Sequence, residues 1–193
     1  LKNKSNQPLS KVFITEGIPL SSIAIENASL IERDSIYGTY LFQFNKALQP
    51  NESAAYKFEL KKESKGYDDD KTIVNNGTYI THGDFEQVFG YVSGFEIANR
   101  GERTKRNLPK KIVEKKPTSH IALENVKIEK TSFETIVSTD NDQTALSSGN
   151  LIREWTENNR KYYHYKSRDK ILPGIGYFSA NYKAKKINHK GVS

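Results

Sequence analysis

The chain has 193 residues, a formal net charge of +7, and a composition that is 35 % hydrophobic, 27 % charged and 11 % aromatic, too rich in Tyr and Phe for a disordered chain. A chain of this size buries about 70 % of its unfolded surface as one domain, so a single β-domain spanning residues 1–193 is the expectation. It holds no cysteine, which excludes disulfide frameworks, thiolate zinc sites and cysteine nucleophiles, and no apolar run approaches the roughly 20 residues of a membrane helix. Leu1 to Ser10 lack the charged-then-apolar order of a signal peptide. The chain opens on Leu1 and closes on Asn188 to Ser193, which reads as a soluble piece of a longer polypeptide with part of its function elsewhere.

Period-two alternation recurs along the chain, while helical spacing is scarce, so the fold class is all-β. Strands are expected over Lys11–Thr15, Ser22–Glu26, Ala28–Arg33 and Tyr37–Asn45, where Tyr40, Phe42 and Phe44 share one face. Gln49 to Glu52 form a turn into Ser53–Lys62, whose Tyr56, Phe58 and Leu60 make a dry face against Lys57, Glu59 and Lys61. Lys65 to Lys71 read as a loop; its Asp68, Asp69 and Asp70 lack the glycine and distant glutamate of an EF-hand, so no calcium site is expected. Strands resume at Thr72–Val74, Thr78–Thr81 and Glu86–Val92.

Between Asn99 and Lys116, eight Lys and Arg stand against two Glu, so nearly all the excess charge sits in one long basic loop. One helical turn is expected around Arg100–Asn107, and Arg100, Arg103, Lys105 and Arg106 are candidate contacts for an anion or an acidic partner. The bland alternative is a solvated basic loop. After Pro117 a strand region is expected from Ile121 to Ser138, then turns at Thr139–Gln143 and Ser147–Asn150.

Residues 154–186, EWTENNRKYYHYKSRDKILPGIGYFSANYKAKK, interleave aromatic with basic residues, as a nucleic-acid surface would. The spacing answers for strands instead: Leu151–Glu157 and Arg160–Lys166 flank Asn158-Asn159, a pair able to adopt the positive φ of a tight hairpin turn. Tyr163 and Tyr165 then share one face, and Tyr177–Lys186 alternates with Phe178, Ala180, Tyr182 and Ala184 on its dry side. Trp155 and Tyr165 are expected as core rings, and no nucleic acid is expected as a partner.

No catalytic chemistry is assembled by the sequence. His82, His120, His164 and His189 are far apart, no HExxH is present to bring two imidazoles and a general base to one helical face, and neither a nucleophile elbow nor a phosphate-binding glycine loop occurs. Glu26, Glu59, Asp84, Glu134 and Asp140 are carboxylates of the sort that any β-domain carries. No catalytic residue, metal ligand or resident cofactor is assigned in this chain.

Residues 133–186 resemble the last part of the N-terminal β-domain of zinc metallopeptidases of the aminopeptidase N family. They share a strand with a Ser-Thr pair and polar turn, a Trp-Thr-Glu-Asn hairpin turn, an aromatic strand and a final Phe-Ser-Ala-x-Tyr. Asn76 to Tyr91, NGTYITHGDFEQVFGY, is similar to the corresponding stretch of bacterial members in which the peptidase follows an ABC-transporter permease, and Asn107-Leu108-Pro109-Lys110 sits where those members end a charged helix. The hairpin has Asn158-Asn159 where the family has Asn-Gly. The resemblance implies a twisted, saddle-shaped β-sandwich-like domain that packs on a catalytic domain of the same polypeptide. That domain would hold the zinc, the HExxH and the Gly-x-Met-Glu-Asn motif.

It also implies that Tyr79, Thr81 and His82 lie at the substrate rim, with a peptide substrate at the domain interface and a parent that meets the membrane only through its other parts. The family does not fix the compartment. The competing expectation is a β-sandwich interaction or adhesion module acting through the basic loop 99–116.

Overall fold

The computed structural model describes residues 1–64, 72–74, 76–90, 96–111 and 130–183. In chain order the elements are β1 (Leu9–Glu16), β2 (Leu20–Ile25), β3 (Ala28–Asp34), β4 (Thr39–Leu48), β5 (Tyr56–Leu60), β6 (Ile73–Val74), β7 (Gly77–Thr81) and α1 (His82–Phe85). There follow β8 (Gln87–Phe89), α2 (Arg100–Lys105), β9 (Glu134–Asp140), β10 (Thr144–Ser147), β11 (Asn150–Glu157), β12 (Arg160–Lys166) and β13 (Gly176–Ala180). Among the described residues the strands form four antiparallel sheets, ordered β3-β4-β1-β8, β10-β13-β7-β6, β11-β12-β9 and β2-β5, none closed into a barrel. The protein is all-β. By contacts it divides into two compact units, Leu1–Lys61 with Phe85–Lys127, and Lys62–Asp84 with Ile128–Ser193.

In the first unit, β1 pairs with β4 so that Val12 faces Phe42 and Ile14 faces Tyr40. Because side chains alternate across a strand, this register brings Val12, Ile14, Tyr40, Phe42 and Phe44 to one face, where they are buried with Leu20, Ile25, Leu48 and Ala54. Each large apolar side chain stabilises the fold by about 1.5–3 kcal/mol through burial. The Tyr40 hydroxyl donates to Glu16 Oε2 at 2.6 Å, and the Leu20 N–H donates to the same oxygen at 2.9 Å. Burial, with the Glu16 hydrogen bond second, raises the Tyr40 phenol above its ordinary value. Tyr56 donates to Gln87 Oε1 at 3.3 Å, and burial, reinforced by Tyr40 and Glu16, pushes its phenol up to about 12.

Two expectations shift here. β4 starts at Thr39 rather than Tyr37, because Asp34 Oδ1 accepts the Ile36 and Tyr37 N–H groups and Gly38 turns at φ +60°. The face Tyr56, Phe58, Leu60 is only half dry: β5 pairs with β2 alone, and Phe58 is exposed.

In the second unit, Ala145, Tyr163 and Tyr165 form the buried centre, with Val137 packed against it. Tyr165 donates its hydroxyl to the Ala145 carbonyl at 2.9 Å, and its phenol is raised chiefly by burial. The β11–β12 hairpin turns at Asn158 and Asn159, with φ of 50° and 61°. Trp155, however, lies on the opposite face from Tyr163 and Tyr165. It pairs across the hairpin with Tyr162, the two rings stacked at 5.1 Å and 10°, with the Arg153 guanidinium 5.0 Å from the Trp155 ring.

The dry side of β13 is also the reverse of the one expected. Ser179 pairs with Ala145 and Thr78 and donates to Gln143 Oε1 at 2.6 Å, which turns Phe178 outward on the exposed side. β9 begins at Glu134 and runs through Asp140, so Thr139 is a buried strand residue rather than part of the turn. Residues 121–129 of the expected Ile121–Ser138 strand, and Ala184 to Lys186, lie outside the described residues.

Candidate functional site

Tyr79 stands in the middle of β7 and is 51 % exposed, with its ring centroid 5.0 Å from that of its cross-strand partner Phe178. Two residues on, Thr81 donates both its N–H and its hydroxyl to Asp84 Oδ2, each at 2.8 Å, so that the Asp84 carboxylate reaches back from α1 to hold the turn that begins it. The His82 N–H donates to the Ile175 carbonyl at 2.8 Å. Thr81 and His82 are half-buried. Of these three residues, Tyr79 is the one that offers a wide exposed surface, while the Thr81 hydroxyl is committed to the local turn.

The basic segment is built around an arginine turned inward. Asn99 Oδ1 accepts the Glu102 N–H at 3.1 Å and starts α2, where Arg103 is buried. Its Nε and Nη2 donate to the Pro109 carbonyl at 2.8 and 2.6 Å, Nη1 donates to the Ile97 carbonyl at 3.0 Å, and the Glu96 carboxylate lies 3.5 Å away. Lys105 and Arg106 are exposed and pair with Glu102 at 3.0 and 3.3 Å. Arg100 is exposed at the start of α2. The four cations therefore do not converge: Arg103 closes its own loop, and two of the others share one carboxylate. Lys115 and Lys116 lie outside the described residues.

The test for zinc is the chemistry of the donors present. Among the described residues no three His, Asp or Glu side chains come together as a ligand set. His164 Nε2 is 2.8 Å from Glu134 Oε1, while Lys166 Nζ is 3.0 Å from Glu134 Oε2, so this imidazole and carboxylate are occupied with each other and with a cation. The hydrogen bonds from Lys166, and next from His164, hold the Glu134 carboxyl below its ordinary value. These residues do not fit a catalytic zinc. His120, His189 and Asp68 to Asp70 lie outside the described residues. No helix among the described residues is long and apolar enough to cross a membrane.

Two residues absent from the expected site stand beside Tyr79. Leu146 pairs with Phe178, and Phe178 with Tyr79, giving one exposed row across β10, β13 and β7. The signal for Leu146 was a four-residue alternation, Thr144 to Ser147, lost between two turn-rich stretches. The glycine two residues before Phe178 also serves the row: a Cβ at Gly176 would lie 2.9 Å from the Phe178 ring.

Fold and sites together define an antiparallel β protein that carries an exposed apolar row and no described catalytic centre. No protein-family model matches the sequence, and no curated protein matches it. Among solved structures, 91 % of the chain aligns with the M1 zinc metallopeptidase from Deinococcus radiodurans, at 13 % identity and a TM-score of 0.47. A mutant of that enzyme bound to a Tyr-Ser-Ala substrate aligns with a TM-score of 0.48, and a two-domain M1 zinc metallopeptidase mutant bound to L-tryptophan with 0.47, both at 13 % identity. In each the match covers 35 % of the other chain, so this chain spans about a third of the length of those structures. A likeness of that size assigns neither an activity nor a residue.

Proposed function

We propose that the chain is the non-catalytic N-terminal β-domain of a zinc aminopeptidase-like metallopeptidase, packing on a catalytic domain of the same polypeptide and shaping access of the peptide N-terminus. The observation that carries this reading is the run from Phe133 to Tyr182. Its Ser138-Thr139 strand, Trp155-Thr156-Glu157-Asn158 turn, aromatic strand and Phe178-Ser179-Ala180-x-Tyr182 ending follow that family's pattern in order, and β9, β11, β12 and β13 lie where the pattern requires strands. On the same resemblance the parent is a bacterial, membrane-associated protein in which the peptidase follows an ABC-transporter permease, and zinc belongs to the catalytic domain. The alternative, an interaction module acting through residues 99–116, is weakened by the inward commitment of Arg103.

Reading the gene past Ser193 tests the proposal. An HExxH and a later glutamate ligand are expected, and a downstream sequence without them overturns it. Tyr79, with Thr81 and His82 beyond it, is the part of this domain placed toward the substrate rim. In the intact enzyme Tyr79→Ala should raise KM for aminoacyl substrates more than it lowers kcat, because a rim residue contacts substrate without joining the chemistry. Unchanged kinetics across substrates of different side-chain size, with the fold intact by circular dichroism, would remove this segment from the cleft.

A further inference from the structure

β11 lies at the edge of its sheet and pairs with β12 alone, and every one of its residues except Trp155 is exposed. The two-residue turn at Asn158 and Asn159 closes on a pair that exchanges both backbone bonds, Glu157 with Arg160. Bonded and non-bonded pairs alternate from there. Glu157, Trp155 and Arg153 therefore spend their backbone groups on β12, while those of Glu154 and Thr156 point away from the sheet. A register shift between Leu151 and Arg153 ends the regular stretch on the other side, so the open edge runs from Arg153 to Glu157. On the face away from Tyr163 and Tyr165 it carries Arg153, Trp155 and Glu157 in order, a cation, a ring and an anion. Among the described residues neither Arg153 nor Glu157 has an ion-pair partner.

We infer that this edge docks the same edge of a second copy of the chain, the two β11 strands running antiparallel about a two-fold axis at Trp155. The reason is self-complementarity. A two-fold axis normal to the sheet sets residues of the same face opposite one another, so with Trp155 against its own copy, Arg153 meets Glu157 of the second copy at both ends. In the same register Glu154 and Thr156 are opposed, and their outward N–H and C=O groups bond to each other. Centring the pair on Arg153 or Glu154 would oppose like charges, and centring it on Thr156 would set Arg153 against the turn. The edge strand β3 shows the contrast: beyond its own register shift it offers Glu32, Arg33 and Asp34, and self-pairing about Arg33 opposes Arg33 to Arg33 and Glu32 to Asp34. Charges on an exposed edge ordinarily repel a copy, as on β3, whereas β11 places them to attract one. Tyr79 belongs to a different sheet, and the pairing goes beyond the reading above without needing it.

The test is sedimentation equilibrium of the intact polypeptide over a range of concentrations. A dimer is expected, weakened at least about tenfold by Arg153→Glu, which opposes two carboxylates at each end. Combining Arg153→Glu with Glu157→Arg reverses both pairs and should return the dissociation constant to within about threefold of the parent. A protein that stays monomeric at every concentration overturns the inference, as does a dimer that Arg153→Glu leaves unchanged. Glu157→Arg also faces Arg160 within its own hairpin, so a cross-link supplies a reading that does not depend on that variant folding. Residues 1–193 hold no cysteine, and Arg153→Cys and Glu157→Cys are made as separate proteins, mixed and mildly oxidised. Opposed in this register, the two Cα atoms lie about 4.5 Å apart, within disulfide reach, whereas two copies of either variant alone hold their cysteines roughly 13 Å apart along the strands. A covalent dimer is expected from the mixture and not from either variant by itself. No cross-link in the mixture, or an equal yield from a single variant, overturns the inference.

Discussion

Arg103 carries one of the charges that make residues 99–116 basic, yet its guanidinium is buried and spends its donors on the carbonyls of Pro109 and Ile97. Removing it strands two acceptors, so Arg103→Ala should cost about 1–3 kcal/mol. Lys105→Ala, which breaks an exposed pair with Glu102, should cost at most about 1 kcal/mol. Denaturant midpoints of the two variants check this, and equal small losses would return Arg103 to the surface. Tyr56 gives a second prediction at this scale. Its folded pKa of about 12 lies above the ordinary value of 10.0, so the neutral phenol is the form the fold prefers. Its contribution is present in full below the ordinary value and is lost as pH rises through the window between the two. Tyr56→Phe should therefore flatten the fall of stability across that window, leaving the share due to Tyr40 and Tyr165, whose phenols are also raised. Urea melts on either side of pH 10 would decide it, and an identical alkaline slope in both proteins would contradict the assignment.

The β11–β12 hairpin separates two roles that its aromatic content had merged. Tyr165 is buried and hydrogen-bonded to Ala145, so Tyr165→Ala should cost about 3–5 kcal/mol. Trp155 is half-buried on the other face and held by Tyr162 and Arg153, so Trp155→Ala should cost only about 1–2 kcal/mol. A reversed order of the two losses in thermal or denaturant unfolding would mean that the hairpin faces have been exchanged. The turn makes an independent prediction. Asn159 sits at φ 61°, a conformation that asparagine tolerates and a β-branched residue does not. Asn159→Val should lower stability by about 1–2 kcal/mol, whereas Asn159→Gly should leave it unchanged or slightly raised.

At the scale of the molecule, each compact unit is assembled from two separate stretches of chain, Leu1–Lys61 with Phe85–Lys127 and Lys62–Asp84 with Ile128–Ser193. Neither is a continuous segment that could be cut out whole, so the two cores should unfold together. Trp155, the sole tryptophan, reports on the second unit alone, while far-ultraviolet circular dichroism reports on both. The two signals should give coincident denaturation curves, and separated midpoints would make the units independent domains. The chain by itself should neither hydrolyse an aminoacyl amide nor bind stoichiometric zinc, because among the described residues no three His, Asp or Glu side chains form a ligand set, and His164 and Glu134 are engaged with each other and with Lys166. Zinc-dependent turnover by residues 1–193 alone would overturn the functional proposal.

Local chemistry was enough to read most of the strands, though not β10. Alternation in Tyr40, Phe42 and Phe44 identified a buried face, and Asn158-Asn159 identified a hairpin, because side-chain period and permitted φ are properties of a few neighbouring residues. Which face of a strand is dry is settled elsewhere. β13 presents Phe178 to the outside and Ser179 to the inside because Ala145 and Thr78 pair with Ser179, and Gln143, 36 positions away, takes its hydroxyl. The same limit hid the apolar row. Leu146, Phe178 and Tyr79 belong to three distant stretches, and only the register of β10 against β13 and of β13 against β7 makes them neighbours. Arg103 shows it for charge: composition counts a cation, but whether it meets solvent depends on carbonyls that the chain brings to it by folding back at Pro109. Periodicity is local and legible in sequence, whereas burial is a relation between residues far apart, and tertiary pairing decides it.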